Sequence, residues 1–362
     1  MIAIGIPTLN EADNIAKLVK KIEKSAIELS INIIIINSDS CSEDNTSAMF
    51  KKTKTKFQKI SLNSQRIGKG YNIKNILDYI AARKDISYCL LVDGDVKSFE
   101  TEWLKKHIDA SNNKADFVIP NYSRYTIEGN TTNHFVYPLL FSLTLGNAPY
   151  QGIAGDFGLS IKFIKLLENL NWPDSAYGYG VDIFLTLQAI FKKMNVMEVE
   201  LGKKIHKPSF NKMINIFKEV ATSYYDFRKS VDIKISDQFF VTTVNNINLL
   251  KSKPLINQDI EDRERTAIKL LNHNIRNGIQ IINSSTLDYS IDINTWVNII
   301  LKHEESIDHY TSEELSDSIT PYYLLRVITF LKEKNDPQKT EKIIRQTAQS
   351  LLTGLEKKYV YS

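Results

Sequence analysis

The chain has 362 residues, with 46 Lys plus Arg against 42 Asp plus Glu and a formal charge of +4. At about 100–200 residues per domain, that length points to two or three domains and ample room for a core. The near-balance of charge argues against a dedicated nucleic-acid binder, which carries a basic excess or stripe. Apolar residues at 43% with 24% charged exclude a disordered chain.

Cys41 and Cys89 form neither a metal-type spacing nor a disulfide framework, and they read as the reduced thiols of a cytoplasmic protein. The N-terminus lacks the basic region of a signal peptide. The longest apolar run, Phe135–Leu145, contains Pro138 and falls short of the ~20 residues a membrane span needs. It reads as a buried helix, and no membrane span is expected.

In chain order, Ile2–Ile6 and Ile31–Ile36 read as buried parallel strands, with the helical pattern Asn14–Leu29 between them. Lys59–Leu62 reads as a third strand, Asn72–Ala82 as a helix, Tyr88–Val92 as a fourth strand and Phe117–Pro120 as a fifth. A helix over Leu159–Leu167 and a strand over Val196–Leu201 follow. This alternation predicts an open, doubly wound α/β sheet. The strand signal fades after about His206, and helix-length stretches follow at Phe239–Leu250, Arg263–Ile282, Tyr322–Glu333 and Lys339–Lys357. The expected division is a catalytic domain over residues 1–210 and a mainly helical domain over 211–362.

In sheets of this class ligands bind beyond the carboxyl ends of the strands. The loops there read Pro7-Thr8-Leu9-Asn10-Glu11, Asp39-Ser40-Cys41-Ser42-Glu43-Asp44 and Asp93-Gly94-Asp95, with Arg66-Ile67-Gly68-Lys69-Gly70 between the last two. Singly they are ordinary turn and cap chemistry. Together, and in this order, they resemble the nucleotide-diphospho-sugar glycosyltransferases of the GT-A fold. The segments Tyr122-Ser123-Arg124, Gly129–Asn133, Gln151–Phe157, Gly178–Ile183 and Leu201–His206 narrow the resemblance to the retaining mannosylglycerate and glucosyl-3-phosphoglycerate synthases, over roughly residues 1–210.

That resemblance implies a fold and a set of roles. Pro7, Thr8, Asn10, Glu11, Asp39 and Lys69 would hold the nucleotide, with Asp93 and Gly94 at the ribose. Asp95 and His206 would bind a divalent metal, Mn²⁺ or Mg²⁺, that neutralises the leaving diphosphate. Gly155 and Asp156 would grip the donor sugar, the bland alternative for Asp156 being a helix cap. Asp182 would lie by the acceptor and the anomeric carbon, and Arg124 and Thr132 would orient the acceptor. An Arg fork suits a carboxylate such as that of glycerate. Where the phosphoglycerate enzymes carry an acceptor-phosphate Arg, this chain has Asn130, which favours an unphosphorylated acid.

The resemblance thus implies transfer of mannose or glucose from a GDP- or UDP-sugar, GDP-mannose included, to a small acceptor such as D-glycerate, with retention. Any homo-oligomer would form through the helical domain. Three other classes compete: an inverting GT-A enzyme acting on a lipid or polysaccharide, a non-catalytic sugar-nucleotide-binding protein, and a dehalogenase-type phosphatase. The last also uses Asp-x-Asp, but normally near the start of its domain.

Overall fold

The computed structural model describes residues 1–207, 212–231, 238–252, 257–277, 281, 289–333 and 336–360. Its contacts divide the chain into two compact units, neither of them continuous. The first comprises Met1–Tyr122, Ile153–Ser209 and Gln238–Val244, and the second Ser123–Gly152, Phe210–Asp237 and Asn245–Ser362. The single cut near 210 expected from the sequence therefore differs from the division by contacts: residues 123–152 go with the second unit and 238–244 with the first.

The first unit is built by alternation. β1 (Ile2–Thr8), α1 (Ile15–Glu28), β2 (Ile33–Ser40), α2 (Thr46–Lys52), β3 (Gln58–Ser64), α3 (Lys69–Ala81), β4 (Tyr88–Leu91) and α4 (Thr101–Asn112) lead into β5 (Phe117–Tyr125). α1 buries Ile15, Leu18, Val19, Ile22 and Ala26, spaced three or four apart on one face, each large aliphatic contributing about 1.5–3 kcal/mol. β2, flanked by β1 and β3, is buried along its whole length, which explains its β-branched run.

β1 and β2 run further than their apolar stretches predict, to Thr8 and Ser40. Several of the polar groups that prolong them find partners inside the fold, although Asn37 Oδ1 has none among the described residues. Asn37 Nδ2 donates to Ile6 O and Thr8 Oγ1, and Ser38 Oγ donates to Asn72 Oδ1. Buried polar groups with partners cost little, so the strands continue through them and carry Thr8 and Asp39 in register.

With β6 at Gly158–Ser160, β7 at Val196–Lys203 and β8 at Val241–Thr242, the strand order is β3-β2-β1-β4-β6-β5-β7-β8. β6 is antiparallel to both β4 and β5, so the expected doubly wound sheet is a mixed one. α6 (Ile161–Glu168), α7 (Val181–Phe191) and β7 follow. The expected helix from Leu159 starts two residues later, capped by Ser160, whose Oγ accepts the Phe163 N–H.

The second unit holds a π-helical turn (Thr132–Val136), α5 (Tyr137–Leu143), α8 (Met213–Ser230), α9 (Asn257–Arg276), α10 (Ile293–Glu305), α11 (Ser312–Lys332) and α12 (Pro337–Val360). Of the Phe135–Leu145 run expected as a buried helix, residues up to Leu143 are helical and mostly buried, while Leu145 lies in the following turn and is exposed. α11 buries residues all round, marking it as the central helix. Pro321 lies inside it and cannot donate to the Asp317 carbonyl one turn back. Asn274 Nδ2 of α9 supplies that carbonyl with a donor at 2.7 Å.

The helix expected over Phe239–Leu250 does not form. Its β-branched start becomes β8 (Val241–Thr242), parallel to β7 in the first unit. Its end becomes β9 (Leu249–Leu250), which pairs with Arg124 and Tyr125 of β5 in the second. The two halves of this stretch satisfy their backbones in different sheets, which periodicity alone does not register. Of the stretch expected as a helix to Ile282, residues 278–280 and 282 lie outside the described residues.

Candidate active site

The carboxyl ends of β1, β2 and β4 gather most of the expected residues in the first unit. Thr8 Oγ1 donates to Asp39 Oδ1 at 2.9 Å, and Ser42 Oγ donates to the same oxygen at 2.6 Å. Asp39 is buried, with its rotamer fixed from two sides. Asn10 is exposed. Its Oδ1 accepts the Glu43 N–H while its own N–H donates to Ser42 Oγ, which clips the first loop to the second. Gly94 N–H donates to Pro7 O, and a Cβ on Gly94 would stand 2.7 Å from Thr8 Cγ2 and 2.9 Å from Pro7 O. That close approach demands glycine.

Beyond β4 lies a buried charge cluster. Lys69, the first residue of α3, places Nζ 2.9 Å from both Asp93 Oδ1 and Asp182 Oδ2. Lys204 places Nζ 2.9 Å from Asp93 Oδ2, 2.6 Å from Asp156 Oδ2 and 3.0 Å from Ala154 O. Asp156 Oδ1 accepts the Asp93 N–H at 2.7 Å, and its Oδ2 accepts the Tyr122 hydroxyl at 2.8 Å. Two ammoniums against three carboxylates leave one negative charge.

The environment sets each charge. Burial would raise the Asp93 carboxyl, but Lys204 and Lys69 outweigh it and hold the group well below the usual carboxylate range. Burial likewise opposes the Lys69 charge, and Asp182 and Asp93 overcome it, holding the ammonium well above its ordinary range. At Asp182 burial wins over Lys69 and the carboxyl is pushed up to about 6. Its Oδ1 is buried with no hydrogen-bond partner among the described residues. Burial also pushes Asp156 upward, against the pull of Lys204.

Gly155 adopts φ +90°, and a Cβ there would come within 2.5 Å of Asp93 Oδ2 and 2.8 Å of Lys69 Nζ. Both the left-handed backbone and the proximity of the charges require glycine. Asp156 does not cap α6, a role taken by Ser160. It is only 1% exposed, and both its oxygens are engaged inside the protein.

Asp95 and His206 come together as the sequence suggests, with Nδ1 3.9 Å from Asp95 Oδ2 and each side chain about a quarter exposed, at 26% and 27%. The Lys207 carbonyl lies 2.7 Å from Nδ1, which assigns the ring proton to Nδ1 and leaves the Nε2 lone pair for a ligand. Asp95 Oδ2 accepts the Lys207 N–H. Among the described residues no cluster of three or more His, Cys, Asp or Glu side chains forms a metal cage. One carboxylate and one imidazole suit a cation that draws its remaining ligands from phosphate and water, so the residues present fit a diphosphate-bound Mn²⁺ or Mg²⁺.

Glu11 makes a different contact from the one expected. Its Oε2 lies 2.8 Å from Lys207 Nζ, which also donates to Asn10 O, while burial raises its carboxyl. Arg124 and Thr132 belong to the second unit. Arg124 Nε donates to Gln151 Oε1 at 2.8 Å, and Thr132 is buried at the start of the π-helical turn. Asn130 Nδ2 donates to Ile127 O and so ties its own loop. Sequence reasoning missed Lys204, Lys207 and Tyr122. The available signal was the Lys203-Lys204 pair at the end of β7, since alternation along a strand turns one of two neighbours inward.

Residues 3–160 match the model of the family described as Glycosyl transferase family 2. The solved structures that resemble the chain include glucosyl-3-phosphoglycerate synthase from Mycobacterium tuberculosis, in complex with Mn²⁺, UDP-glucose and phosphoglyceric acid. It has a TM-score of 0.50 and 20% identity, over 62% of this chain and 79% of that one. The same enzyme with Mg²⁺ and UDP gives 0.50 and 20%, over 62% and 78%. A protein of Methanocaldococcus jannaschii, named only as uncharacterized, is 27% identical over 233 residues, 61% of this chain and 97% of that protein. The fold is GT-A, followed by helices.

Proposed function

We propose that the protein is a metal-dependent retaining glycosyltransferase that moves a hexose from a UDP- or GDP-sugar to a small acid such as D-glycerate. The observation that carries this reading is the cluster at the end of β4. Asp93, Asp182 and Lys69 form one ion-paired group, with Asp95 two residues beyond Asp93 and His206 Nδ1 3.9 Å from Asp95 Oδ2. When bound by Asp95 and His206, the metal supplies charge neutralisation for the departing diphosphate. Thr8 and Asp39 receive the nucleoside, and Lys69 presents a permanent positive charge. Arg124 and Thr132 are the proposed acceptor contacts, and Asn130 in place of an Arg favours an acceptor without a phosphate. The enzyme of similar fold carries phosphoglyceric acid in its complex, so both acids belong in the assay.

A second reading, inversion, draws on Asp182: a carboxyl at about 6 with an unpartnered oxygen has the properties of a general base. A screen of UDP-glucose, GDP-glucose and GDP-mannose against D-glycerate and 3-phosphoglycerate, with the product anomer read by NMR, tests both. An α-product from an α-donor is expected, and a β-product hands the case to inversion. UDP or GDP with Mn²⁺ should raise the Tm of the wild type. Asp95→Ala and His206→Ala should each remove most of that rise, and a rise that survives in both variants sinks the metal assignment.

A further inference from the structure

Resting on the donor-site reading above, we propose that Lys204 and Asp156 are a buried foundation pair that positions Asp93. The cluster is graded in depth. Side-chain exposure runs from 1% at Asp156 and 6% at Lys204 to 10% at Asp182, 14% at Lys69 and 20% at Asp93. The deep members are saturated from within. Asp156 accepts the Asp93 N–H on one oxygen, and the Tyr122 hydroxyl and the Lys204 ammonium on the other. Lys204 divides its donors between Asp156, Asp93 and the Ala154 carbonyl, and its ammonium sits 5.4 Å from the centre of the Tyr122 ring.

Neither deep side chain is placed to hand a hydrogen bond to a ligand, and together they fix Asp93 at two points. Asp156 holds its backbone N–H, and Lys204 holds Oδ2 from below, while Lys69 meets Oδ1. Ala154 O ties the left-handed Gly155 turn to the same ammonium. Asp93 thereby has its height and rotamer set before any nucleotide arrives, which is how a site avoids ordering costs on binding. Asp182 stands apart from this scheme. One oxygen meets Lys69, and the other is buried with no partner among the described residues.

A positioning pair and a ligand-binding lysine respond differently to charge deletion. Lys204→Met leaves Asp156 buried without its cation, whereas Lys204→Met with Asp156→Asn removes both charges. The probes are UDP and GDP, each with Mn²⁺, titrated calorimetrically, together with Tm in the absence of nucleotide. Lys204→Met is expected to weaken nucleotide binding by at least about tenfold and to lower Tm. The double variant is expected to return affinity to within about threefold of wild type and to recover most of the Tm. Lys204→Arg, which keeps the charge, is expected to lie between wild type and Lys204→Met in affinity.

If the double variant recovers Tm but stays as weak as Lys204→Met, Lys204 touches the nucleotide directly and the proposal fails. Unchanged binding in Lys204→Met also overturns it. Should Lys204→Met not fold, the double variant against Lys204→Arg separates the same two cases. If wild type binds neither nucleotide, the donor-site reading has failed. The recovery of Tm in the double variant still reports on the foundation pair separately.

Discussion

At the residue scale, Asp182 shows how burial sets a pH response. Its carboxyl sits at about 6 in the fold against an ordinary 3.8, because burial outweighs the attraction of Lys69. Between those values the folded chain holds a proton that the unfolded chain has released. Its contribution to stability is therefore complete below about 3.8 and is lost as pH rises through about 6. Asp182→Asn removes this dependence, so a Tm series from pH 4.5 to 7.5 should show wild type falling relative to the variant by about 2–4 °C. A constant difference across the series would refute the assignment. Asp93, Asp95, His206 and Lys69 stood out as candidates because each falls in a short motif, and the structure brings Lys69 to Asp93 and His206 near Asp95. Lys204 did not stand out, since it is needed only once β7 lies beside the end of β4, and the mutual placement of two strands is a tertiary fact. The saturation of Asp156 was hidden for the same reason, as its partners Tyr122 and Lys204 lie 34 and 48 positions away.

At the element scale, helices and central strands were read well wherever one physical signal dominated. α1 follows its apolar stripe, and β1 and β2 follow their isoleucine runs. The misreadings share one cause. Polar residues extended β1 and β2, and a β-branched run was absorbed into a helix over 239–250, because neighbours that satisfy a backbone are invisible in a single sequence. Local cap chemistry, by contrast, is written in the sequence. Thr311 Oγ1 accepts the Glu314 N–H at 3.1 Å, and Glu314 Oε2 accepts the Thr311 N–H at 2.7 Å, a reciprocal box at the start of α11. Thr311→Ala should cost about 1 kcal/mol in urea unfolding and leave nucleotide binding in the first unit unchanged. A loss of binding would show that α11 matters to more than its own unit.

At the scale of the whole molecule, each unit has its own interior and its own buried charges. In the second, Tyr224 OH donates to Glu304 Oε1 at 2.7 Å and Arg228 Nε donates to Oε2 at 3.1 Å, tying α8 to α10 inside the helical core. Glu304→Ala strips Arg228 and Tyr224 of this partner and should destabilise the chain by about 3–5 kcal/mol by denaturant unfolding. A cost under 1 kcal/mol would mean that the network is replaceable. The net charge of +4, uninformative by itself, coexists with a site cluster of net charge −1. An anionic donor of the proposed kind would need a few placed cations and no overall basic surface. No helix among the described residues is long and apolar enough to cross a membrane.

The chain's excursion from the first unit begins at Ser123 and returns at Ile153, and it carries Arg124 and Thr132. Its base is clasped by the Tyr122–Asp156 hydrogen bond. Within the excursion, residues 126–129 connect β5 to the helical stretch, and a connection of this kind can change length at small entropic cost, only about 0.6 kcal/mol for each doubling. Insertion or deletion there can alter the surroundings of the proposed acceptor contacts, Arg124 and Thr132, while Asp93, Asp156 and Lys204 keep the partners they hold in the first unit. Under the proposed function, the choice of acceptor is thereby free to evolve at its own rate.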